Sequence, residues 1–343
     1  MSSHVLNSTA YLIEDHKYVY DIQALNHNIK RCRSLAQKHG FSMRVVLKGG
    51  YLHANIVGEL SQIADLRFAL GKDDKAVLDV LRGRDVSTLY PRQRMQARKG
   101  NAFNRIVVTD VSALNTVNVD RIPEIIIPVA TSENREGLLC EDIADVLIEI
   151  EHRHGDRVQI GGFQMNFGCL IHEPPCPAEI QRMLDRLSVK AITSRLGMSP
   201  VMSIGGSAVL PILEQIEVPK PFDAELRVGE AILTGSIPGS QQNFGLKPTS
   251  YASASILQEL RPEHEGIRRV LLDVGHTVFD VQAIERDYDG LAFQSLSSDV
   301  SVATLPSSPC ITGVAPILLP LNYGETERAL ARNSNEIAFL ASG

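Results

Sequence analysis

Tryptophan is absent from this 343-residue chain, and aromatic residues make up only 5% of it. The formal net charge is -6, so the chain also lacks the basic excess that accompanies nucleic-acid binding. With so few aromatic side chains, the sequence indicates no platform on which bases could stack. Both features argue against a nucleic-acid partner.

Cysteine is scarce and scattered, and no two cysteines form a Cys-x-x-Cys pair. This argues against a disulfide framework and against a thiolate zinc site, and we predict no metal. No apolar run approaches the roughly 20 residues that a membrane-spanning helix needs. The first residues form neither a signal peptide nor a lipidation motif, so we expect a cytoplasmic protein without membrane contact. The cysteines are Cys32, Cys140, Cys169, Cys176 and Cys310.

The first 245 residues alternate between short apolar runs and amphipathic stretches. Strands that alternate with helices at this spacing predict a parallel sheet with right-handed crossovers, repeated often enough to close into a (β/α)8 TIM barrel. Such a barrel takes roughly 250 residues. The predicted strands cover residues 43–48, 65–69, 88–90, 105–108, 124–129, 159–163, 201–204 and 225–228, and predicted helices cover 74–81, 141–154, 177–187 and 207–216.

The pattern changes after residue 245, where helical stretches nearly vanish. Short β-rich runs between turns follow, at residues 251–257, 267–274, 277–281, 300–305 and 317–321. We therefore predict two domains, a barrel over residues 1–245 and a C-terminal β-domain over residues 246–343. Short strands at 10–14 and 18–21 precede a first helix that we expect to begin after Asp21 and to end at Gly40, and the first strand can instead join the β-domain.

A lysine, Lys48, ends the first strand of the predicted barrel and is followed by Gly49 and Gly50. Parallel α/β proteins place their chemistry at the carboxyl ends of their strands. Desolvation lowers the pKa of an amine, which suits it to attack an aldehyde and to hold a cofactor covalently. The alternative is a solvated lysine at a strand end.

Two later segments suit a phosphate and a heteroaromatic ring. Gly205, Gly206 and Ser207 lead from a strand into a helix, where glycine permits close approach and the helix start offers N–H groups to an anion. Arg227 lies two residues before Gly229, and an arginine that faces a pyridine nitrogen would keep that nitrogen unprotonated. The last two strand ends of a barrel form its usual phosphate site. The alternatives are a glycine turn capped by Ser207 and a surface arginine.

Polar residues also follow two middle strands. Arg135 lies in the segment 133–137, and Asn166 follows a strand that we expect to end at Phe163. A guanidinium suits a carboxylate, so Arg135 is the candidate contact for a substrate carboxylate or for the surroundings of the lysine. The alternatives are a solvated loop arginine and a turn-forming asparagine.

Together these segments resemble the alanine racemase group of the fold type III pyridoxal-phosphate enzymes, and within it the ornithine racemase-like branch. Val46-Leu47-Lys48 is similar to the cofactor-lysine segment, and the most specific match is the segment 226–233, Leu-Arg-Val-Gly-Glu-Ala-Ile-Leu. The other similar elements are Arg135-Glu136-Gly137, Asn166-Phe167, Gly205-Gly206-Ser207, Ser297-Ser298-Asp299 and Leu321-Asn322-Tyr323-Gly324.

The resemblance implies that the cofactor is pyridoxal 5′-phosphate and that the substrate is an amino acid. It also implies a homodimer in which each active site forms between one barrel and the partner's β-domain. The cofactor-binding residues that it implies are Lys48, Asn166, Gly205, Gly206, Ser207, Arg227, Gly229 and Glu230.

The sequence departs from the family pattern at two places. Tyr51 is displaced from the position of the tyrosine that alanine racemases carry after the lysine, and Val300 stands where the ornithine racemase-like branch has a histidine. A racemase commonly uses an acid/base group on each face of the substrate, and Lys48 supplies only one. For the second group we favour Tyr323 and His276 over the other candidates, Tyr251, Asp299 and Cys310.

The sequence thus predicts an amino-acid racemase or epimerase in which Lys48 exchanges protons at the substrate Cα. A decarboxylase or aldolase of the same fold, and a non-catalytic pyridoxal-phosphate-binding protein, remain as alternatives. A barrel hydrolase with a metal or paired carboxylates ranks last, because no HxH-type pair lies at the strand ends.

Overall fold

The structure is a computed structural model. It describes residues 18–48, 51–72, 74–90, 103–116, 124–133, 135–155, 158–168, 175–187, 200–240, 244–261, 267–273, 292–295, 300–306, 317–321, 326, 330 and 337–340. The chain divides into two compact units, one formed by Asn26–Leu246 and the other by Met1–Leu25 with Lys247–Gly343.

The described chain opens with strand β1, Tyr18–Asp21, followed directly by helix α1, Ile22–Lys38. The carboxylate of Asp21 accepts a hydrogen bond of 2.9 Å from the backbone N–H of Ala24, which satisfies a donor of the first helical turn. Gly40, with a φ of +80°, lies just beyond the end of the helix. Both predicted boundaries of this helix are therefore confirmed.

Eight parallel strands close into a barrel in the order β2 to β9, with β9 hydrogen-bonded to β2. Their side chains alternate between the interior and the surrounding helices. The predicted (β/α)8 TIM barrel is confirmed. The strands are β2 Ser42–Leu47, β3 Arg67–Leu70, β4 Val86–Thr88, β5 Arg105–Val107, β6 Glu124–Pro128, β7 Ile160–Asn166, β8 Val201–Gly205 and β9 Asp223–Val228.

The helices of the barrel unit precede, separate and follow these strands in the chain. After α1 they are α2 Ala54–Ser61, α3 Lys75–Val80, α4 Ile143–His154, α5 Pro177–Arg186 and α6 Glu230–Leu233, with 3₁₀ helices at Val111–Thr116 and Ser207–Gln215. The predicted helix 207–216 is thus a 3₁₀ helix. Pro211 lies inside it, and proline has no N–H for an α-helical hydrogen bond and clashes with the carbonyl four residues earlier.

The second unit contains two four-stranded sheets, with strand orders β15-β10-β1-β16 and β11-β12-β14-β13. The single strand expected at 251–257 is in fact two strands separated at Ser255, and β13 and β16 were not expected. The expected strands at 10–14 and 277–281 lie outside the described residues. The strands of this unit are β10 Ser250–Ala254, β11 Ile256–Leu260, β12 Ile267–Leu272, β13 Ala292–Ser295, β14 Ser301–Pro306, β15 Ile317–Pro320 and β16 Ile337–Leu340.

Within the described ranges, every helix falls short of the length and apolar character needed to cross a bilayer.

A cluster of charged side chains fills the barrel interior at the N-terminal ends of the strands, and we call it the barrel floor. Glu225 is only 2% exposed and is its centre, because its carboxylate contacts Arg44 at 3.0 Å, Arg105 at 3.4 Å and the Ser203 hydroxyl at 2.7 Å. Arg44 also contacts Asp85 at 3.0 Å. Burial alone would raise the pKa of Glu225, but the charges of Arg44 and Arg105, with hydrogen bonds from Arg44 and Ser203, lower it to about 2. The remaining members of the barrel floor are Arg67 and Glu124.

We expect Glu225→Gln to lower the free energy of unfolding at pH 7 by about 3–5 kcal/mol, because the buried Arg44 loses a charged partner. The pKa of Glu225 is lower in the folded state, so its contribution is complete above the ordinary value of 4.5 and declines as the pH falls towards about 2. Urea unfolding at pH 7 and below pH 4 measures both effects, and the variant should lose less stability on acidification than the wild type.

The control is Asp79→Asn, which removes an exposed ion pair between Arg82 and Asp79 on the barrel surface. Such pairs contribute about 0–1 kcal/mol. Equal effects of the two substitutions would contradict a stabilising role for the barrel floor.

Candidate functional site

Lys48 lies at the C-terminal mouth of the barrel. It directly follows β2, and it is in phase with the inward-facing Arg44 of that strand, because alternate strand residues share a face. A Cβ built at Gly71, just after β3, would come within 2.9 Å of the Cβ of Lys48. The absence of a side chain at Gly71 therefore leaves room for the lysine, which is half-buried.

Arg227 is the most firmly held side chain of the mouth and is only 1% exposed. It projects from β9 across the interior and donates hydrogen bonds to the Ser203 carbonyl at 3.0 Å, to the Met165 carbonyl at 2.8 Å and to the side-chain oxygen of Asn166. A Cβ at Gly205 would lie 2.4 Å from its Nη2 atom. The interpretation of Arg227 as a surface arginine is wrong, because the guanidinium lies inside the barrel over Gly205.

Barrel closure brings Arg227 and Lys48 onto neighbouring strands. In the register of β2 and β9, Arg44 pairs with Arg227 and Val45 with Val228. A Cβ at Gly229 would come within 3.3 Å of the Cβ and carbonyl oxygen of Val46, so the end of β9 packs closely on β2. Arg227 therefore lies on the strand next to the one that Lys48 follows, although the two residues are far apart in sequence.

Gly205, Gly206 and Ser207 form a tight passage from β8 into the following 3₁₀ helix. Gly206 has a φ of +116°, and a Cβ there would lie 1.9 Å from the carbonyl oxygen of Phe167. Its N–H donates to the Arg227 carbonyl at 3.1 Å. The N-cap of the 3₁₀ helix is Gly206, and Ser207 is the first helical residue, so the alternative of Ser207 as the cap is wrong.

The Ser207 hydroxyl links two helix starts. It accepts a hydrogen bond of 2.9 Å from the N–H of Ala231, in the first turn of α6. Gly229 is the N-cap of α6. The first N–H groups of a helix have no partner within that helix, so the two adjacent helix starts, apart from the Ala231 N–H that donates to Ser207, can offer donors to a phosphate.

Asn166, Glu136 and Arg135 continue the polar contacts away from Arg227. Asn166 is the last residue of β7, so the expectation that this strand ends at Phe163 is wrong. Its side-chain N–H₂ donates to Glu136, and the Glu136 carboxylate forms a two-point ion pair with Arg135. The Arg135 guanidinium lies 5.7 Å from the centre of the Tyr90 ring. A connected series of polar side chains therefore crosses the mouth from β9 to the loop after β6.

Glu230 and Tyr251 are the remaining predicted site residues within the described part of the chain. Glu230 begins α6, and its carboxylate accepts a hydrogen bond of 3.1 Å from the Ser236 hydroxyl. Tyr251 belongs to β10, and its hydroxyl donates to the Pro248 carbonyl at 2.9 Å. The predicted acid/base residues Tyr323 and His276, with Asp299 and Cys310, lie outside the described residues.

Sequence reasoning assigned no role to two residues of the mouth. Gly71 makes room for Lys48, and Glu136 joins Arg135 to Asn166. A carboxylate next to Arg135 in a strand-end loop was the one available signal for Glu136. Among side chains whose positions are described, no three His, Cys, Asp or Glu residues gather in a way that could hold a metal ion.

The chain matches no protein-family model and no curated protein sequence. Solved structures do match the whole fold. An alanine racemase from Acinetobacter baumannii aligns with a TM-score of 0.67 at 14% identity, over 94% of this chain and 99% of that one. A histidine racemase from Leuconostoc mesenteroides subsp. sake aligns with a TM-score of 0.63 at 14% identity, over 100% of both chains.

A D-threonine aldolase from Filomicrobium marinum aligns equally well, with a TM-score of 0.66 at 12% identity over 92% of this chain and 89% of that one. Identities this low establish a shared fold. The chain therefore has the fold of the alanine racemases, a barrel with an additional β-unit, which racemases and an aldolase share.

We expect Gly205→Ala to lower the free energy of unfolding by about 1–3 kcal/mol, because the added methyl group would displace the Arg227 guanidinium and Asn166. The Cβ would lie 2.4 Å from Arg227 Nη2 and 2.7 Å from Asn166 Oδ1. Urea unfolding measures the loss. The control is Gly58→Ala within α2, where an added Cβ meets no atom within 4 Å and alanine favours the helix. If Gly205→Ala were as stable as the wild type, Arg227 would not occupy this position.

Proposed function

We propose that the protein is a pyridoxal-phosphate-dependent amino-acid racemase or epimerase of the ornithine racemase-like branch. One observation carries the proposal: an amine, a buried guanidinium and two helix starts all lie towards the C-terminal ends of the barrel strands. These are the groups needed to hold an aldehyde, a pyridine nitrogen and a phosphate of one molecule. In this proposal Lys48 exchanges the proton at the substrate Cα.

The residues of the mouth fit pyridoxal 5′-phosphate. The position of Gly206 against the Phe167 carbonyl leaves no room for a side chain, and Ser207 and Gly229 begin the two adjacent helices. Ser207, Gly229 and the backbone of Glu230 would bind the phosphate. The Gly206 N–H already donates to the Arg227 carbonyl, so Gly206, with Gly205 before it, would contribute close approach of the backbone and not a further donor. When bound, this cofactor supplies an aldehyde that combines with amines and a ring that withdraws electrons from Cα.

Arg227 would donate a hydrogen bond to the pyridine nitrogen, with Asn166 beside it. A guanidinium keeps its proton at any working pH, so it leaves that nitrogen unprotonated and limits electron withdrawal by the ring. A ring that withdraws electrons only weakly suits a reaction in which negative charge develops briefly at Cα, as in proton exchange. The bonds from Arg227 to two backbone carbonyls fix its orientation for this role.

Lys48 would hold the cofactor through its aldehyde. The lysine amine would also remove or deliver the Cα proton on its own face. Arg135, with five N–H donors, would bind the substrate carboxylate through those that Glu136 does not occupy. Tyr323 or His276 remains the proposed group for the opposite face.

We also propose a homodimer in which the partner's β-unit supplies that opposite-face group. Lys48, Arg227 and Asn166 all belong to the barrel unit, whereas the predicted residues Tyr323 and His276 belong to the unit formed by Met1–Leu25 with Lys247–Gly343. The proposed substrate is an amino acid.

An aldolase is the second candidate, because the D-threonine aldolase aligns as well as the racemases do. Such an enzyme would use the same lysine and the same cofactor site. It would break the Cα–Cβ bond of a β-hydroxy amino acid and leave glycine and an aldehyde.

We expect purified protein supplied with pyridoxal 5′-phosphate to show a visible absorption band that borohydride removes, with the cofactor then attached to Lys48. Lys48→Ala should abolish this covalent attachment, because it removes the proposed amine. Absorption spectra and peptide mass spectrometry measure the result. Lys75→Ala, at the first residue of α3, is the control and should leave the band unchanged. A wild-type protein without the band would contradict the cofactor assignment.

We expect the loaded enzyme in D₂O to convert one enantiomer of an amino acid into the other, with deuterium at Cα of the product. Chiral chromatography and mass spectrometry of a panel of L- and D-amino acids measure this exchange. Lys48→Ala should lower the rate by at least about 10³-fold, since it removes a covalent and proton-transfer group. Release of glycine from a β-hydroxy amino acid, without inversion, would favour the aldolase instead.

A further inference from the structure

The loop that carries Arg135 and Glu136 is fixed to the barrel just beyond them. Gly137 has a φ of +123°, and a Cβ there would lie 2.4 Å from the N atom of Ala130. Leu138 completes the attachment, because its N–H donates to Pro128 at 2.9 Å and its carbonyl accepts from Ala130 at 2.8 Å. The side chains of residues 135 and 136 therefore extend from a constrained backbone.

The Glu136 carboxylate is held by three hydrogen bonds from two partners. Its Oε1 atom accepts from Arg135 Nη2 at 2.7 Å and from the Asn166 side chain, and its Oε2 atom accepts from Arg135 Nε. The side chain is 12% exposed. Hydrogen bonds to a charged group are stronger than neutral ones, and they are stronger still where water is largely excluded. Glu136 therefore does more than form a surface ion pair with Arg135, because it also binds the Asn166 side chain.

The contact with Glu136 fixes the orientation of the Asn166 amide. An amide accepts through its oxygen and donates through its nitrogen. The Asn166 oxygen faces the Arg227 guanidinium and the nitrogen faces Glu136, so both ends are matched. A flipped amide would direct its N–H₂ group at a cation and its oxygen at an anion. The carboxylate thus determines which atom Asn166 presents to Arg227.

We propose that Glu136 is a positioning residue that links the substrate-carboxylate arginine, Arg135, to the ring-nitrogen arginine, Arg227, through Asn166. The inference rests on the proposed function. Glu136 orients both guanidiniums, and its negative charge offsets part of the positive potential that they create around the cofactor. A change at the carboxylate-binding end of the site is therefore transmitted to the ring-binding end.

The first test compares wild type with Glu136→Gln, which keeps the side-chain size and removes the charge. Greater positive potential disfavours a bound proton, so we expect the pH midpoint of the bound cofactor's absorption band to fall by about one unit. Misplacement of the arginines should lower kcat about ten- to hundredfold with a smaller change in KM. The matched control is Glu141→Gln, the same change on an exposed position of the same loop, which should alter neither quantity.

The second test exchanges the bonding roles of residues 136 and 166. Asn166→Asp places two carboxylates in contact, and we expect the cofactor dissociation constant to rise at least about tenfold. Adding Glu136→Gln should restore it to within about threefold, because the glutamine N–H₂ then donates to the aspartate, which still accepts from Arg227. Urea unfolding of the same variants without cofactor should show the same rescue.

The outcomes separate this inference from the proposed function. A shifted midpoint together with rescue in the double variant supports the role of Glu136. A normal wild-type band with an unchanged midpoint in Glu136→Gln, or additive losses in the double variant, would overturn that role and leave the proposed function intact. A wild-type protein without a borohydride-sensitive band would overturn the proposed function and the cofactor role of Glu136 with it, while the cofactor-free unfolding data would still report the contact itself.

Discussion

The site depends on the neutralisation of the charges inside the barrel. Several arginines point into a closed ring of eight strands, where an isolated cation would be strongly disfavoured. Glu225 compensates them at the barrel floor and also accepts from the Ser203 hydroxyl, while the Ser203 carbonyl accepts from Arg227, two residues after Glu225 on β9. The charge cluster that stabilises the fold is thereby connected to the arginine of the proposed cofactor site. Ser203 is the residue that joins them, because its hydroxyl contacts Glu225 of the barrel floor and its carbonyl contacts Arg227.

Glycines shape the mouth as much as the polar side chains that fill it. Gly205 leaves space for the Arg227 guanidinium, Gly206 lets the backbone pass the Phe167 carbonyl, and Gly71 leaves space beside Lys48. Each of these glycines is next to a group of the proposed site, and each would clash if it carried a methyl group. The mouth is therefore a set of close backbone approaches, into which a few long cationic side chains extend from the strands.

The sequence was sufficient to predict the barrel and the approximate places of its strands, although β4 lies two residues before its expected position and β7 extends three residues beyond its expected end. Lys48, Gly206 and Arg227 stand at strand ends with glycines beside them, and strand ends can be located from short patterns. Contacts that depend on side-chain direction could not be predicted. Asn166 and Glu136 are 30 residues apart, and their contact requires β7 to continue to Asn166, past the point where the apolar pattern ends. The opposite-face group could not be identified either, because the family resemblance fails at Val300.

The barrel mouth would constrain the proposed cofactor more than it would constrain the reaction. Arg227 cannot give up its proton, and its bonds to two carbonyls and to Asn166 prevent it from turning away. A racemase and an aldolase can both use an arginine held in this way, because both begin with charge development at Cα. They differ in the group that faces the other side of Cα or the β-hydroxyl of the substrate. In the proposed dimer this group comes from the β-unit, so substitutions there should change the reaction, whereas substitutions at Lys48 or Arg227 should abolish it.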